Sequence, residues 1–170
     1  RFHARHHADL TEMVNRESEL SLLLERWQSA CEGQRQMVLL AGEAGIGKSR
    51  MCMALASRVA AEGHFVMRLQ CSPFHTHSAL HPIITNLDRL AGLTLDMEPD
   101  EKLDRLIAEL QKSGDVTPET IALFAGLLSI PVGDRLPRRE ASPEQMKSLT
   151  LDAIDGWLVN LLRLKPLLWI

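Results

Sequence analysis

The chain has 170 residues, 45% apolar and 24% charged, with a formal net charge of −3. That composition belongs to an ordinary globular protein; it excludes wholesale disorder and argues against general affinity for nucleic acid or an anionic membrane. Cys31, Cys52 and Cys71 are odd in number, widely spaced and without a Cys-x-x-Cys pair, so a reducing, cytoplasmic setting is expected rather than a disulfide framework, and no apolar run nears the ~18 residues of a membrane span.

Residues 1–13 are basic, His-rich and unpatterned, and read as a linker or the end of a preceding domain. The chain starts on Arg1 and stops on "PLLWI", so both ends are expected to have been cut from something longer. A helix is predicted over 16–31, with Leu20, Leu23, Leu24, Trp27, Ala30 and Cys31 on one face, Asn15 as cap and Gly33 as stop. "QMVLLA", 36–41, has the length and apolarity of a buried parallel strand. A glycine-rich turn follows, then a helix over 48–61 ended by Gly63, and a second strand at 64–70. Residues 71–82 read as a loop feeding a helix near 78–91. A helix at 99–112 carries Leu103, Leu106, Ile107 and Leu110, with Glu101 and Arg105 as an i,i+4 ion pair. Thr117 and Pro118 open the next helix; Ser142, Pro143 and Gln145 open the last as a capping box, with Met146, Leu149, Ala153, Trp157 and Leu161 on its apolar face. "PLLWI" begins a third buried strand. Strands separated by helices predict an α/β fold: a three-layer sandwich with a mostly parallel sheet, a helical insertion at about 78–130, and a break at the third core strand.

The turn "GEAGIGKS", 42–49, matches G-x-x-x-x-G-K-[ST]. Its context, strand before and helix after, is what a phosphate loop requires. Glycines let the chain turn with backbone N–H groups facing inward, and the helix N-terminus adds partial positive charge. Gly42, Glu43, Ala44, Gly45, Ile46, Gly47, Lys48, Ser49 and Arg50 are the candidate nucleotide-binding residues. Lys48 reaches the outer phosphates as a mobile cation, and Ser49 offers its hydroxyl to Mg²⁺. The Glu43 side chain must face away from the phosphates. Hydrolysis also needs an acidic residue at the end of a neighbouring strand; none follows "PLLWI", and Asp152 and Asp155 sit on the preceding helix, so the segment alone is expected to bind nucleotide weakly and to hydrolyse it poorly, with no catalytic residue of its own.

Cys71, His75, His77 and His81 are metal-ligand types, but their spacing fits no standard zinc site, and a Cys–His nucleophile lacks an orienting third group. A plain polar loop is expected. The basic lead-in has no interleaved aromatics, so direct nucleic-acid binding is not expected. Arg135, Arg138 and Arg139 read as a solvated turn, and Trp27, Trp157 and Trp169 as core or interface residues.

"MVNRESELSLLLERW", "MVLLAGEAGIGKSR", "RLQCSPFHTHSALHPII" and "KPLLWI", in that order, resemble the N-terminal half of a P-loop ATPase module of the AAA-like, STAND type, found in bacterial multidomain signalling regulators. The likeness implies that 14–170 is a partial P-loop NTPase domain that binds ATP and Mg²⁺ as a conformational switch. It places Val14, Asn15 and Arg16 near the adenine, where the family usually reads Val-Gly-Arg-Glu and this chain has Asn15. It implies intramolecular signalling domains as partners, ATP-dependent self-association, ATP hydrolysis in the complete domain, and a frequent fusion to an adenylate/guanylate cyclase domain. The alternatives are a degenerate scaffold that binds no nucleotide and a different P-loop enzyme such as a small-molecule kinase.

Overall fold

The computed structural model describes residues 16–71, 80–137 and 140–170. The chain divides into two compact units, 1–63 and 64–170.

In the first unit, helix α1 (Glu17–Cys31) packs against helix α2 (Lys48–Ala61). Leu23 and Trp27 are the buried positions of α1; Met51, Leu55, Ala56 and Val59 are those of α2. Leu20, Leu24, Ala30 and Cys31 are half-buried, so the predicted stripe is right in phase and narrower at full burial. The N-cap of α1 is Arg16, whose guanidinium meets Glu19 at 3.0 Å; Asn15, expected to cap it, lies outside the described residues. Gly33 stops α1 as predicted. At φ +88° it lets its own N–H reach Ala30 C=O and the Gln34 N–H reach Ser29 C=O, both at 3.0 Å, which satisfies two carbonyls of the last turn. Gly63, at φ +78°, ends α2, its N–H reaching Ala60 C=O at 3.0 Å.

The predicted strand at 36–41 does not form. The segment carries no regular secondary structure and no ladder bonds, and Met37 and Leu39 are 98% and 89% exposed rather than buried. A strand exists only by pairing, and the described elements of the first unit are two helices. Apolarity marked the segment as a strand; among the described residues of its unit no neighbouring strand is present to realise it.

The second unit holds strand β1 (Phe65–Met67), helices α3 (His81–Leu90), α4 (Pro99–Gln111), α5 (Pro118–Leu127) and α6 (Pro143–Leu164), and strand β2 (Leu167–Trp169). β1 and β2 pair in parallel, with Phe65 opposite Leu167, Val66 opposite Leu168 and Met67 opposite Trp169. The ladder runs on through Ile170 N–H to Met67 C=O at 2.9 Å. Among the described residues this two-stranded sheet is the whole sheet, so the expected three-layer sandwich is present only as a small parallel sheet with flanking helices. β2 is also less buried than predicted, with Leu167 and Leu168 half-buried and Trp169 exposed.

Helices α3 to α5, read from sequence as an insertion, build this unit's core. Leu87, Leu103, Leu106, Leu110, Phe124 and Ala125 are almost wholly buried, each large side chain contributing about 1.5–3 kcal/mol relative to exposure. Trp157 of α6 meets Phe124 edge-on at a ring separation of 5.8 Å. The predicted face of α6 holds at Trp157 and Leu161 and widens to include Ile154 and Leu158. The local signals at the helix starts are realised: Thr117 Oγ1 accepts from Thr120 N–H at 3.3 Å, and Ser142 and Gln145 form both bonds of a capping box. Glu101 and Arg105 pair at 2.9 Å.

Candidate functional site

The turn at 42–49 bends through three glycines with positive φ. Gly45 (φ +83°) and Gly47 (φ +100°) occupy backbone conformations that L side chains rarely adopt. An added Cβ at either would meet nothing within 4 Å, so glycine is required there for its dihedral freedom and not for room. Gly42 differs: its Cβ would lie 3.2 Å from Ile46 Cγ2.

Gly47 is the N-cap of α2, and no side chain caps that helix. The first turn of α2 carries no acidic residue. Within the loop, Ile46 N–H donates to Glu43 C=O at 3.4 Å; the amides of Gly45, Gly47, Lys48 and Ser49 donate to no backbone carbonyl of the described residues. Uncommitted N–H groups at the start of a 14-residue helix form a concentrated positive end. The Lys48 ammonium lies over the same turn, donating to Gly42 C=O at 2.8 Å and to Glu43 C=O at 2.7 Å. A lysine has three donors, so one remains for a ligand. The local sequence thus brings an ammonium and a row of amides to one exposed turn, an arrangement suited to negative oxygens.

The remaining loop residues can be placed individually. Glu43, Ala44 and Ile46 are exposed, and the Glu43 carboxylate makes no hydrogen bond or ion pair among the described residues. Ser49 is exposed in the first turn of α2, with its hydroxyl available to a cation; Arg50, next along, is half-buried. Arg16 is paired with Glu19, and no hydrogen bond or ion pair joins it to the turn. Hydrogen bonds from backbone and from Ser18, followed by Arg16, hold the Glu19 carboxyl below its usual range. Val14 and Asn15, the other two residues expected near the base, lie outside the described residues. The carbonyls of Gly42 and Glu43 were not legible in advance as seats for Lys48, because a backbone acceptor leaves no residue-type signal.

Other candidates separate from this turn. His81 opens α3 with its Nδ1 3.3 Å from Thr85 Oγ1, and Cys71 is exposed; His75 and His77 lie outside the described residues. Burial, then Glu62 and Glu32, push the Cys31 thiol up, the wrong direction for a nucleophile. Arg135 sits exposed in a turn, as expected, and makes ion pairs that the sequence did not show. It bridges to Asp100 and Asp104 of α4 and ties the 131–137 loop to that helix; Arg138 and Arg139 lie outside the described residues. In the second unit a cavity of about 50 Å³ is lined by Phe65, Met67, Trp157, Leu161 and Leu167, with Glu109 and Lys112 also on its wall. It is far below the ~300 Å³ at which small-ligand pockets begin. No helix among the described residues is long and apolar enough to cross a membrane.

The AAA ATPase domain family matches residues 12–168. An uncharacterized protein of Rhizobium meliloti (strain 1021) is 33% identical over 129 residues, which make up 75% of this chain and 12% of that protein. No solved structure matches the chain. A match over nearly the whole length, with the glycine-rich turn and its lysine inside it, means that this chain belongs to the AAA ATPase domain family.

Proposed function

We propose that the chain is an Mg-ATP-binding regulatory module, part of a larger ATPase that uses nucleotide as a conformational switch. The observation that carries this reading is the exposed turn at 42–49, which holds both the Lys48 ammonium and the amides of Gly45, Gly47, Lys48 and Ser49 that donate to no backbone carbonyl. In this reading those groups hold the phosphate oxygens, and the Ser49 hydroxyl is a ligand of the magnesium. Bound Mg²⁺ would screen the charge of the outer phosphates. By the sequence resemblance, hydrolysis would belong to the complete domain, with this segment contributing binding. Its placement among STAND-type regulators, with cyclase or other signalling domains on the parent chain, is supported by the sequence resemblance alone.

Calorimetric titration with Mg-ATP and with a non-hydrolysable analogue tests the proposal. The expected result is saturable binding of both, weakened at least about tenfold by Lys48→Ala, which corresponds to loss of roughly 1.4 kcal/mol. Binding that survives Lys48→Ala unchanged would remove the assigned role of the turn. No binding at all would favour the scaffold reading, in which the turn is only structural.

A further inference from the structure

The outer face of α6 carries a pattern that its own fold does not use. Asp152, Gly156, Val159 and Arg163 are all exposed. Their 4-3-4 spacing puts them within about 60° of one another around the helix axis, opposite the buried Trp157 and Leu161. None of them touches the core. Asp152 and Arg163 have no ion-pair partner among the described residues. Gly156 sits in the middle of a 22-residue helix, where glycine is unfavourable, and a Cβ there would meet nothing within 4 Å. Nothing in the packing of the described residues accounts for that glycine.

The arrangement is self-complementary. The midpoint of Asp152 and Arg163 is also the midpoint of Gly156 and Val159; both fall between Trp157 and Leu158. A second α6 crossing antiparallel at that midpoint would set Asp152 against Arg163 of the partner subunit, twice by symmetry. The same crossing sets Val159 against Gly156 of the partner subunit, a side chain over a bare backbone that permits close approach. Exposed Leu162 would lie about 3 Å along the axis from Leu151 of the partner subunit, so an apolar flank closes beside the charged pairs. A two-fold interface demands that one patch match itself, and this one does in charge, size and level.

We infer that this face of α6 is a homodimer seam, an antiparallel helix pair formed by two copies of the chain without need of nucleotide. A single helix pair buries area at the low end for specific interfaces, so the dimer is weak and concentration-dependent. Its exposed ion pairs also make it salt-sensitive.

Sedimentation of the 170-residue chain across a concentration series is the test, with circular dichroism to verify that each variant folds. The wild type is expected to shift from monomer to dimer as concentration rises. Asp152→Arg and Arg163→Asp should each weaken association at least tenfold, since each puts like charges opposite one another. An equimolar mixture of the two single variants should associate again, because each reversed charge then meets its complement. Gly156→Ala should raise the melting temperature of the monomer while weakening the dimer. A wild type that stays monomeric throughout, or a dimer indifferent to the single reversals, would overturn the inference, as would failure of the mixture to recover.

Discussion

Gly47 offers a direct test of what the phosphate turn demands of its glycines. Its φ of +100° is outside the range comfortable for L residues, and the space around its missing Cβ is open. Gly47→Ala therefore introduces no clash, and its cost is confined to the backbone. Holding an alanine at left-handed φ costs about 1–2 kcal/mol. The unfolded chain loses freedom on the same substitution, which returns about 0.4–1 kcal/mol. The net is a destabilisation of about 1 kcal/mol, provided the loop keeps its conformation. Asparagine tolerates positive φ far better, so Gly47→Asn should cost less than Gly47→Ala despite being larger. Urea unfolding followed by far-ultraviolet circular dichroism measures both, and the stability order Gly, then Asn, then Ala is the expected result. Loss that follows side-chain size, with Asn worse than Ala, would mean that space and not dihedral freedom fixes this position. Equal stability of all three would mean that the turn relaxes to negative φ.

Removing the capping hydroxyl of α6 with Ser142→Ala should cost about 1 kcal/mol in the same unfolding measurement, because it breaks the bond from Gln145 N–H at the start of a helix that contributes four buried side chains. Asp88 on α3 should behave in the opposite sense. Partial burial raises its carboxyl above the usual range, against the opposing pull of Lys102 on α4 and of His81. A carboxyl whose folded value is raised binds its proton more tightly in the folded state. Its penalty is absent below the unfolded value and grows as pH climbs through the raised folded value. Asp88→Asn should therefore leave stability unchanged at acid pH and increase it at neutral pH; a variant less stable than wild type at pH 7 would show that attraction to Lys102 outweighs burial.

The sequence alone determined the features whose bonds close within a few residues. The stop at Gly33, the Thr117 cap, the Ser142–Gln145 box and the start of α2 at Lys48 all follow from i to i+4 hydrogen bonding and from which residues tolerate positive φ. The glycines of the 42–49 turn were legible for the same reason, since their dihedrals are a local demand. Tertiary structure alone decided the strands and the rank of the helices. "QMVLLA" and "PLLWI" read alike as buried strands, yet only the second pairs, because a ladder bond needs a partner distant in sequence and periodicity says nothing about where that partner is. Likewise the helices read as an insertion supply the second unit's core: an apolar stripe shows which face of a helix is to be buried, while the neighbours that bury it are chosen only when the chain folds.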